Sequence, residues 1–326
     1  MTSTDVTSQS LPTGPLPPGY RLLRAPGKLH RAALAEIIAP GRTDGTELVR
    51  GFLEYAGGRG LDVTRVWAVL DRAQTVFASA LAVPSPGRVA MVFASPPHGK
   101  TGRQCLAAAI DALSADLPEV DLAQAILAPD DEDLAVAFEA GGYKRLATLS
   151  YQELRLPARA PAAVDRWPAD VVVKRYADLA PSEASALFRR ALEASYIDTR
   201  DCPQLCGLRD SQDVLAGHLA TGEFDPGLWT LLLHRDEPAG VLLLTLLAER
   251  AAHELVYLGL APSLRGQGVS RLLLQEGIRQ LCERRARVLS LAVDESNEPA
   301  RRLYAELGFV ERDRRLALIR DVRAVC

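Results

Sequence analysis

The sequence has little of the residue types that mark disulfide-bonded and metal-binding proteins. Its 326 residues include only 5 cysteines and 5 histidines. Cysteines that are few, odd in number and scattered indicate a reduced compartment, so we expect a cytoplasmic protein. Cys202 and Cys206 have no second pair of Cys or His nearby at ligand spacing. No metal site is therefore expected.

A charge excess and a long apolar run are also missing. The formal net charge is −3, so there is no broad basic surface to neutralise nucleic-acid phosphates. The longest apolar run, residues 241–248, is too short to cross a bilayer. The amino terminus has no cationic start followed by an apolar core, unlike a secretory signal. We therefore expect neither a nucleic-acid partner nor a membrane partner.

The length allows two domains of ordinary size. Residues 1–19 are rich in Ser, Thr and Pro, which predicts a disordered tail. Residues 157–170 are rich in Pro and Ala and predict a linker between domains at 20–156 and 171–326. In both halves a strand and two helical patterns precede several strands, a turn and a further helix, which indicates an internal repeat.

Residues 253–276 combine a strand, a glycine turn and a helix. An apolar run that ends at Pro262 predicts the strand, and apolar residues at helical spacing follow the glycines. Such a turn lets the first N–H groups of the helix, and the helix dipole, bind an anion. Ser270 adds a hydroxyl and Arg265 adds a positive charge. The predicted anion site comprises Leu264, Arg265, Gly266, Gln267, Gly268, Val269 and Ser270.

A second block follows, in which Asn297 opens a helical pattern that ends at Gly308 and Phe309. In this order the two blocks resemble the GNAT family of N-acetyltransferases. The family's R-x-x-G-x-G/A motif is matched by Arg265, Gly268 and Ser270, with serine as a departure at the last position. The second family motif is matched by Asn297, Ala300, Leu303, Tyr304, Gly308 and Phe309.

The resemblance implies an α/β fold of the α+β mixed-sheet kind. It implies two tandem GNAT-like domains, each a central mixed, mostly antiparallel sheet flanked by helices. Acetyl-CoA would be the co-substrate, with its pyrophosphate on residues 264–270. Leu258 and Leu260 would lend backbone groups to the pantetheine arm, and Asn297 and Ala300 would flank the thiol end.

Two residues carry the chemistry that the resemblance implies. Tyr304 would give a proton to the leaving thiolate, since a positioned phenol can act as a general acid. Glu254 lies at the start of the predicted strand before the glycine turn, where several family members have a catalytic glutamate. The resemblance implies that it would act as the base. A tyrosine packed in the core and a solvated carboxylate at a strand edge are the alternative interpretations.

In the family, the loop between the first two helices lines the acceptor site, and here that loop is residues 196–209. Its polar residues Tyr196, Asp198, Asp201 and Arg209 would orient a substrate. A loop that folds on itself through Asx and proline turns is equally consistent. We expect a small-molecule amine as acceptor. A protein or peptide amine, and a non-catalytic acyl-CoA-binding module, remain alternatives. The oligomeric state is open, and a monomer is compatible with the two-domain plan.

The first copy has lost the residues of the motif. Residues 94–106 align without a gap to residues 261–273, and Thr101 stands in the position of Gly268. Phe138 stands in the position of Tyr304 and cannot give a proton. We therefore predict a structural, non-catalytic copy. Residues 94–101, ASPPHGKT, also resemble a relaxed Walker A loop, so a P-loop nucleotide-binding protein is a remote alternative.

Calorimetric titration with acetyl-CoA tests this assignment. We expect one site per chain in the wild type. We expect none in the double variant Arg265→Ala, Gly268→Asp, because an aspartate in the turn repels the pyrophosphate. Two sites in the wild type would contradict a non-binding first copy.

Overall fold

The structure is a computed structural model that describes residues 15–164 and 166–323. Residue contacts divide the chain into two compact units. The first comprises the described residues up to Leu146 together with those from Leu316 onward, and the second comprises Ala147–Arg315. Most of the predicted tail, residues 1–14, lies outside the described residues. Residues 15–19 are described, and among them Leu16 packs against the core of the first unit.

The first unit is built from five strands and four helices that follow each other in the chain, and from the end of a last strand. In order these are β1 (Arg21–Arg24), α1 (Gly27–Ile38), α2 (Gly45–Gly58), β2 (Arg65–Leu70), β3 (Val76–Ser85), β4 (Val89–Ala94), α3 (Gly99–Ala115), β5 (Leu122–Leu127) and α4 (Glu132–Ala140). The last strand of the chain is β12 (Val310–Asp321), and its residues from Leu316 belong to this unit.

The second unit repeats the order. Its first strand, β6 (Lys144–Arg155), begins in the first unit and belongs to the second from Ala147. The others are β7 (Val171–Arg175), α5 (Pro181–Tyr196), α6 (Ser211–Leu219), β8 (Glu223–His234), β9 (Glu237–Leu247), β10 (Ala252–Leu260), α7 (Val269–Glu283), β11 (Val288–Asp294) and α8 (Glu298–Glu306).

Each unit has a mixed sheet with one parallel pair. The order in the first unit is β1-β2-β3-β4-β5-β12, and only β4 and β5 are parallel. The order in the second is β7-β8-β9-β10-β11-β6, and only β10 and β11 are parallel. The predicted fold class, mixed and mostly antiparallel sheets flanked by helices, is confirmed.

The antiparallel partners of β5 and β11 come from distant parts of the chain. Strand β6 pairs with β11 from Leu149↔Asp294 to Arg155↔Val288. Strand β12 pairs with β5 in the first unit, where Leu318 is fully buried. The contact-based units therefore differ from the domains at 20–156 and 171–326. Sequence patterns predict strands but not their partners, and both strands were assigned to the copy that precedes them.

Packing in the second unit fixes the start of α7. The helix has a glycine, Gly277, where it crosses the sheet, and a Cβ there would lie 2.6 Å from Cδ2 of Leu242. Leu273, Leu274 and Leu281 are fully buried on the same helix. Because this face cannot rotate away from the sheet, the amino-terminal turn of α7 is held at the end of β10. None of the described helices is long and apolar enough to cross a membrane.

The contribution of the last strand to the first unit can be measured. We expect Leu318→Ala to lower the free energy of unfolding by about 2–5 kcal/mol, because it leaves a cavity in a packed core. Hydrogen exchange should rise in β5. Val310→Ala, an exposed site on the same strand, is the control and should change stability by less than about 0.5 kcal/mol. Equal effects would contradict the assignment.

Candidate active site

The site begins where the parallel strands β10 and β11 separate. Their pairing covers only His253–Leu255 against Leu289–Leu291. On its other side β10 is paired with β9 as far as Leu260, with a register shift between Leu255 and Tyr257 that leaves Val256 as a bulge. Backbone groups of residues 256–260 that face β11 therefore have no strand partner. They are available to a ligand that enters between the strands.

A cavity of about 480 Å³ occupies this gap, a size typical of small-molecule sites. It extends from the start of α7 to α8. Besides residues 255–260 of β10, it is lined by Ser195, Asp198, Thr199, Arg200, Asp201, Arg265, Gly266, Ser270, Leu291, Ala292, Val293, Asn297, Pro299, Ala300, Leu303 and Tyr304. No group of three or more His, Cys, Asp or Glu within the described ranges is placed to hold a metal ion.

One end of the cavity is an anion-binding turn. Gly266 and Gly268 have φ of +73° and +75°, a conformation that glycine adopts without strain. The N–H groups of residues 266–270 donate to no atom among the described residues, since the intrahelical bonds begin with Arg271 and Leu272 donating to the carbonyl of Gly268. A fan of free donors at a helix amino terminus favours a phosphate.

Arg265 serves the fold in this structure. Its guanidinium donates to three carbonyl oxygens, those of Leu260 (2.9 Å), Asp198 (3.1 Å) and Ser195 (2.9 Å). It thereby joins the end of β10 to the end of α5 and to the following loop. Its positive charge lies at the cavity. Three of its five N–H donors are used in these bonds, so the backbone N–H groups of the turn are the main donors for an anion.

The other residues of the predicted coenzyme site are divided between cavity and core. Leu258, Leu260, Ser270, Asn297 and Ala300 line the cavity, and their role in binding the coenzyme stays a prediction. Leu264 and Val269 are almost fully buried in the core, and the N–H of Leu264 donates to the carbonyl of Ala261. Gln267 is outside the lining, and its amide donates to the carbonyl of Ser263. Gly268 contributes only backbone, at the amino-terminal cap of α7.

Tyr304 lines the cavity from helix α8. The side chain is 7% exposed and packs against Phe309, with ring centroids 5.5 Å apart. Burial raises the pKa of the phenol well above its usual range, and the nearby Asp201 carboxylate raises it further. The phenol therefore keeps its proton throughout the neutral range, as a proton donor must. No acceptor for this hydroxyl is present among the described residues.

Glu254 is not brought to the cavity. It lies in the paired part of β10, opposite Thr245 on β9 and Ser290 on β11, and is absent from the lining. Burial raises the pKa of its carboxyl group, and Arg250 opposes that shift. Its predicted role as catalytic base stays a prediction.

The loop between α5 and α6 reaches the cavity with some of its predicted residues. Asp198 and Asp201 line it, whereas Tyr196 and Arg209 do not. Tyr196 packs edge-on against Tyr257, and burial raises its pKa to about 12. Arg209 donates to the carbonyl of Asp213 at the start of α6. The predicted acceptor loop is therefore partly a folded scaffold and partly cavity wall.

Several residues of the cavity lining were not predicted as site residues. Arg200 is exposed, lines the cavity, and has no ion pair within the described parts of the chain. The hydroxyls of Ser195 and Tyr257 are 2.9 Å apart, which couples α5 to β10. A Cβ on Gly259 would lie 2.6 Å from Oγ of Ser195, so this close approach requires glycine. The glycine in an apolar strand was the one signal that sequence offered.

The equivalent region of the first unit has no such cradle. Helix α3 begins already at Gly99, so Thr101 is helical. Pro96 and Pro97 have no N–H, and the N–H of Ser95 donates to the carbonyl of Ser79. Strands β3 and β4 pair without the register shift seen in β10. These features support a non-catalytic first copy and leave the Walker-like loop with few donors for a phosphate.

Comparison with known proteins identifies the second unit. Residues 190–309 match the model of the acetyltransferase (GNAT) family. The chain is 41% identical over 98 residues to a mycothiol acetyltransferase of Kineococcus radiotolerans, covering 30% of this chain and 31% of that protein. It is 45% identical over 56 residues to one of Thermomonospora curvata, covering 17% and 19%. The matches thus span less than a third of each relative.

A solved structure extends the likeness to the whole chain. The crystal structure of a GCN5-related N-acetyltransferase from Sphaerobacter thermophilus has a TM-score of 0.59 at 19% identity, covering 95% of this chain and 98% of that one. At this identity the match shows a shared fold. Together with the separated strands and the anion-binding turn, these matches define an acyltransferase domain. Residues 190–309 match the GNAT acetyltransferase family, which confirms the predicted resemblance.

The structural role of Arg265 is testable by substitution. We expect Arg265→Gln to lower the free energy of unfolding by about 1.5–3 kcal/mol, because it removes hydrogen bonds from a charged donor. Hydrogen exchange in residues 196–202 should rise. Arg271→Gln is the control, since its exposed ion pair with Glu306 contributes at most about 1 kcal/mol. Unchanged stability with lost acetyl-CoA binding would show that the guanidinium serves the coenzyme instead.

Proposed function

We propose that the chain is an acetyl-CoA-dependent N-acetyltransferase that acetylates a primary amine of a small molecule. The observation that carries this proposal is the continuous path from the free N–H groups of residues 266–270, along the unpaired edge of β10, to the Tyr304 phenol. An acyl-CoA needs these three features in this order: donors for its pyrophosphate, backbone partners for its pantetheine amides and a proton source at its sulfur.

The residues fit acetyl-CoA from the phosphate end to the thioester. The pyrophosphate would accept from the N–H groups of the turn, close to the Ser270 hydroxyl. The pantetheine amides would take the place of the missing strand along Leu258 and Leu260. The bulge at Val256 leaves polar backbone where the thioester carbonyl would lie, and such fixed dipoles stabilise the oxyanion that forms on attack.

Tyr304 supplies the proton that the leaving group needs. A thiolate is a good leaving group, but its departure is assisted by a donor that is still protonated at the working pH. Burial and the neighbouring Asp201 charge keep the phenol protonated, which supports this role. We propose direct attack of the amine within a ternary complex. We propose no acyl-enzyme intermediate, because the cavity lining includes no cysteine side chain that could carry the acetyl group.

The acceptor is proposed as a small molecule because the cavity is of small-molecule size and its wall includes the α5–α6 loop. Two curated relatives are mycothiol acetyltransferases. A cysteinyl amine therefore belongs in the first panel of acceptors, beside simple primary amines and an amino-terminal peptide. Acetylation of the peptide alone would favour the protein-directed alternative. Cytoplasmic location and the absence of a bound metal stay predictions.

The role of Tyr304 is tested with acetyl-CoA and this panel, by mass spectrometry of the acetylated amines. We expect Tyr304→Phe to lower kcat by about 10²–10⁴-fold, the usual contribution of a general acid. The affinity for acetyl-CoA should change little, because the phenol is far from the pyrophosphate turn.

Tyr151→Phe is the matched control, because Tyr151 is a partly buried tyrosine of the same unit outside the cavity lining. It should keep wild-type turnover. A wild-type protein that binds acetyl-CoA but acetylates no amine would contradict the proposed function. Full turnover in Tyr304→Phe would contradict only the role of the tyrosine.

A further inference from the structure

Acetyl transfer to an amine requires a base, and the site described so far has none. An amine of pKa ~10.4 is neutral in only about one molecule in 2,500 at pH 7, and only the neutral form attacks. Glu254 is outside the cavity lining. Among the described residues, the carboxylates that line the cavity are those of Asp198 and Asp201.

These two aspartates contact different elements of the fold. The backbone carbonyl of Asp198 accepts from Arg265, next to the anion-binding turn. Asp201 lies instead at the carboxyl end of β11, where its Oδ1 accepts from the N–H of Asp294 at 3.4 Å. The neighbouring Cys202 N–H donates to Oδ2 of Asp294, which fixes the loop at this point. Asp201 is therefore held beside Asp294, where its charge acts on the Tyr304 phenol.

Asn297 is a neighbour of Asp201, because both residues are hydrogen-bonded to the backbone of Asp294. The N–H of Asn297 donates to the Asp294 carbonyl at 2.9 Å, and the N–H of Asp294 donates to the Asp201 carboxylate. Asn297 caps α8, and its Oδ1 accepts from the N–H of Ala300. Because the amide oxygen is used in this way, the amide nitrogen is left as a donor, and its interaction with Asp201 lowers the pKa of that carboxyl group. The equivalent cap in the first unit is Asp131, which accepts from Leu134 but has no such donor. An asparagine at this cap can accept from the helix N–H and also donate to the Asp201 carboxylate, whereas an ionised aspartate can only accept.

The surroundings keep Asp201 available as a proton acceptor. The side chain retains exposed surface, while burial raises the pKa of its carboxyl group and the Asp294 carboxylate raises it further. Hydrogen bonds from the Asp294 N–H and from Asn297 oppose that shift. The Asp201 carboxylate interacts electrostatically with the titratable groups of Cys202, Tyr196, Tyr257, Asp294 and Tyr304. These groups lie on its own loop and on α5, β10, β11 and α8.

We propose that Asp201 is the catalytic base of the acetyl transfer and that Asn297 positions it opposite the Tyr304 acid. This inference rests on the proposed function. The carboxylate first binds the acceptor ammonium as an ion pair, which selects a cationic amine. It also lies in the loop that lines the acceptor side of the cavity, so a base and a substrate contact are combined in one residue.

The proton balance closes with these two groups. Asp201 takes one proton from the ammonium, and the nitrogen lone pair then attacks the thioester carbonyl carbon to form the C–N bond. The C–S bond breaks as the sulfur takes the proton of Tyr304. The nitrogen loses its remaining extra proton, which restores the phenol, and Asp201 releases its proton to water. The products are the amide and free CoA.

The test is a pH profile of kcat/KM with acetyl-CoA and the best acceptor of the panel. In the wild type, activity should fall as pH falls through the pKa of Asp201, because the protonated carboxyl group cannot accept. We expect Asp201→Asn to lower kcat at least 100-fold, to remove this acidic limb and to keep acetyl-CoA affinity within about threefold. Formate should restore part of the activity of Asp201→Ala.

Two further variants separate catalysis from structure. Asn297→Asp keeps a helix cap but replaces the donor by a negative charge, so the acidic limb should move to higher pH. Asp210→Asn, an exposed cap of α6 outside the cavity lining, is the control and should behave as the wild type.

An active Asp201→Asn enzyme with an intact acidic limb would overturn this inference and leave the proposed function standing. A higher KM at unchanged kcat would overturn it as well, since it would make Asp201 a binding residue only. A wild type that binds acetyl-CoA but acetylates no acceptor would remove both proposals.

Discussion

The separation of β10 from β11 after Leu255 is the constraint on which the site depends. A parallel pair normally satisfies its backbone groups along its length, and here three residue pairs are made before the strands diverge. The backbone that follows needs other partners, which only water or a ligand can provide. The gap also gives the cavity its position between the end of one strand and the first turn of α7. The position of the cavity, and its lining by the glycine turn and by Tyr304, thus depend on the separation of β10 from β11.

Such a gap requires supports on both sides, and the loop after α5 provides them. On one side Arg265 connects the carbonyls of Ser195 and Asp198 to the end of β10. On the other side Asp294 accepts from Cys202 at the end of β11. The loop is therefore attached to both strands, whereas the strands are paired with each other only as far as Leu255 and Leu291. Under the proposed function, the same short segment would border both the acceptor and the coenzyme, so a change in the loop should affect both.

Local signals in the sequence predicted much of the site. The glycine turn, the Asn297 cap and the cavity position of Tyr304 follow from motifs in which residue type dictates backbone geometry. Arg265 has the expected residue type, but its guanidinium serves carbonyls that are distant in sequence. Asp201 was predicted only as a substrate contact, because its relation to Asn297 depends on how a loop folds onto α8. Contacts between segments far apart in sequence leave no local pattern.

The partners of β6 and β12, which are β11 and β5, show the same limit at the level of the fold. Each strand follows its own copy in sequence, and its alternating pattern gives no information about its neighbour. The structure places the buried end of β12 beside β5, with Leu318 in the first core and Arg320 donating to Asp111. The pattern of apolar residues therefore predicted that these strands exist, but it gave no information about the strands with which they pair.

This pairing has a consequence for the order of events during synthesis. Domains usually fold as they emerge from the ribosome, the amino-terminal one first. Here β5 lacks its antiparallel partner until residues 316–321 have been translated. During the synthesis of residues 128–315, one side of β5 is therefore without this strand and forms an open edge. An open edge is a template for pairing with other chains. The amino-terminal half is thus completed last, and a nascent chain that stalls before this strand is the species most exposed to aggregation.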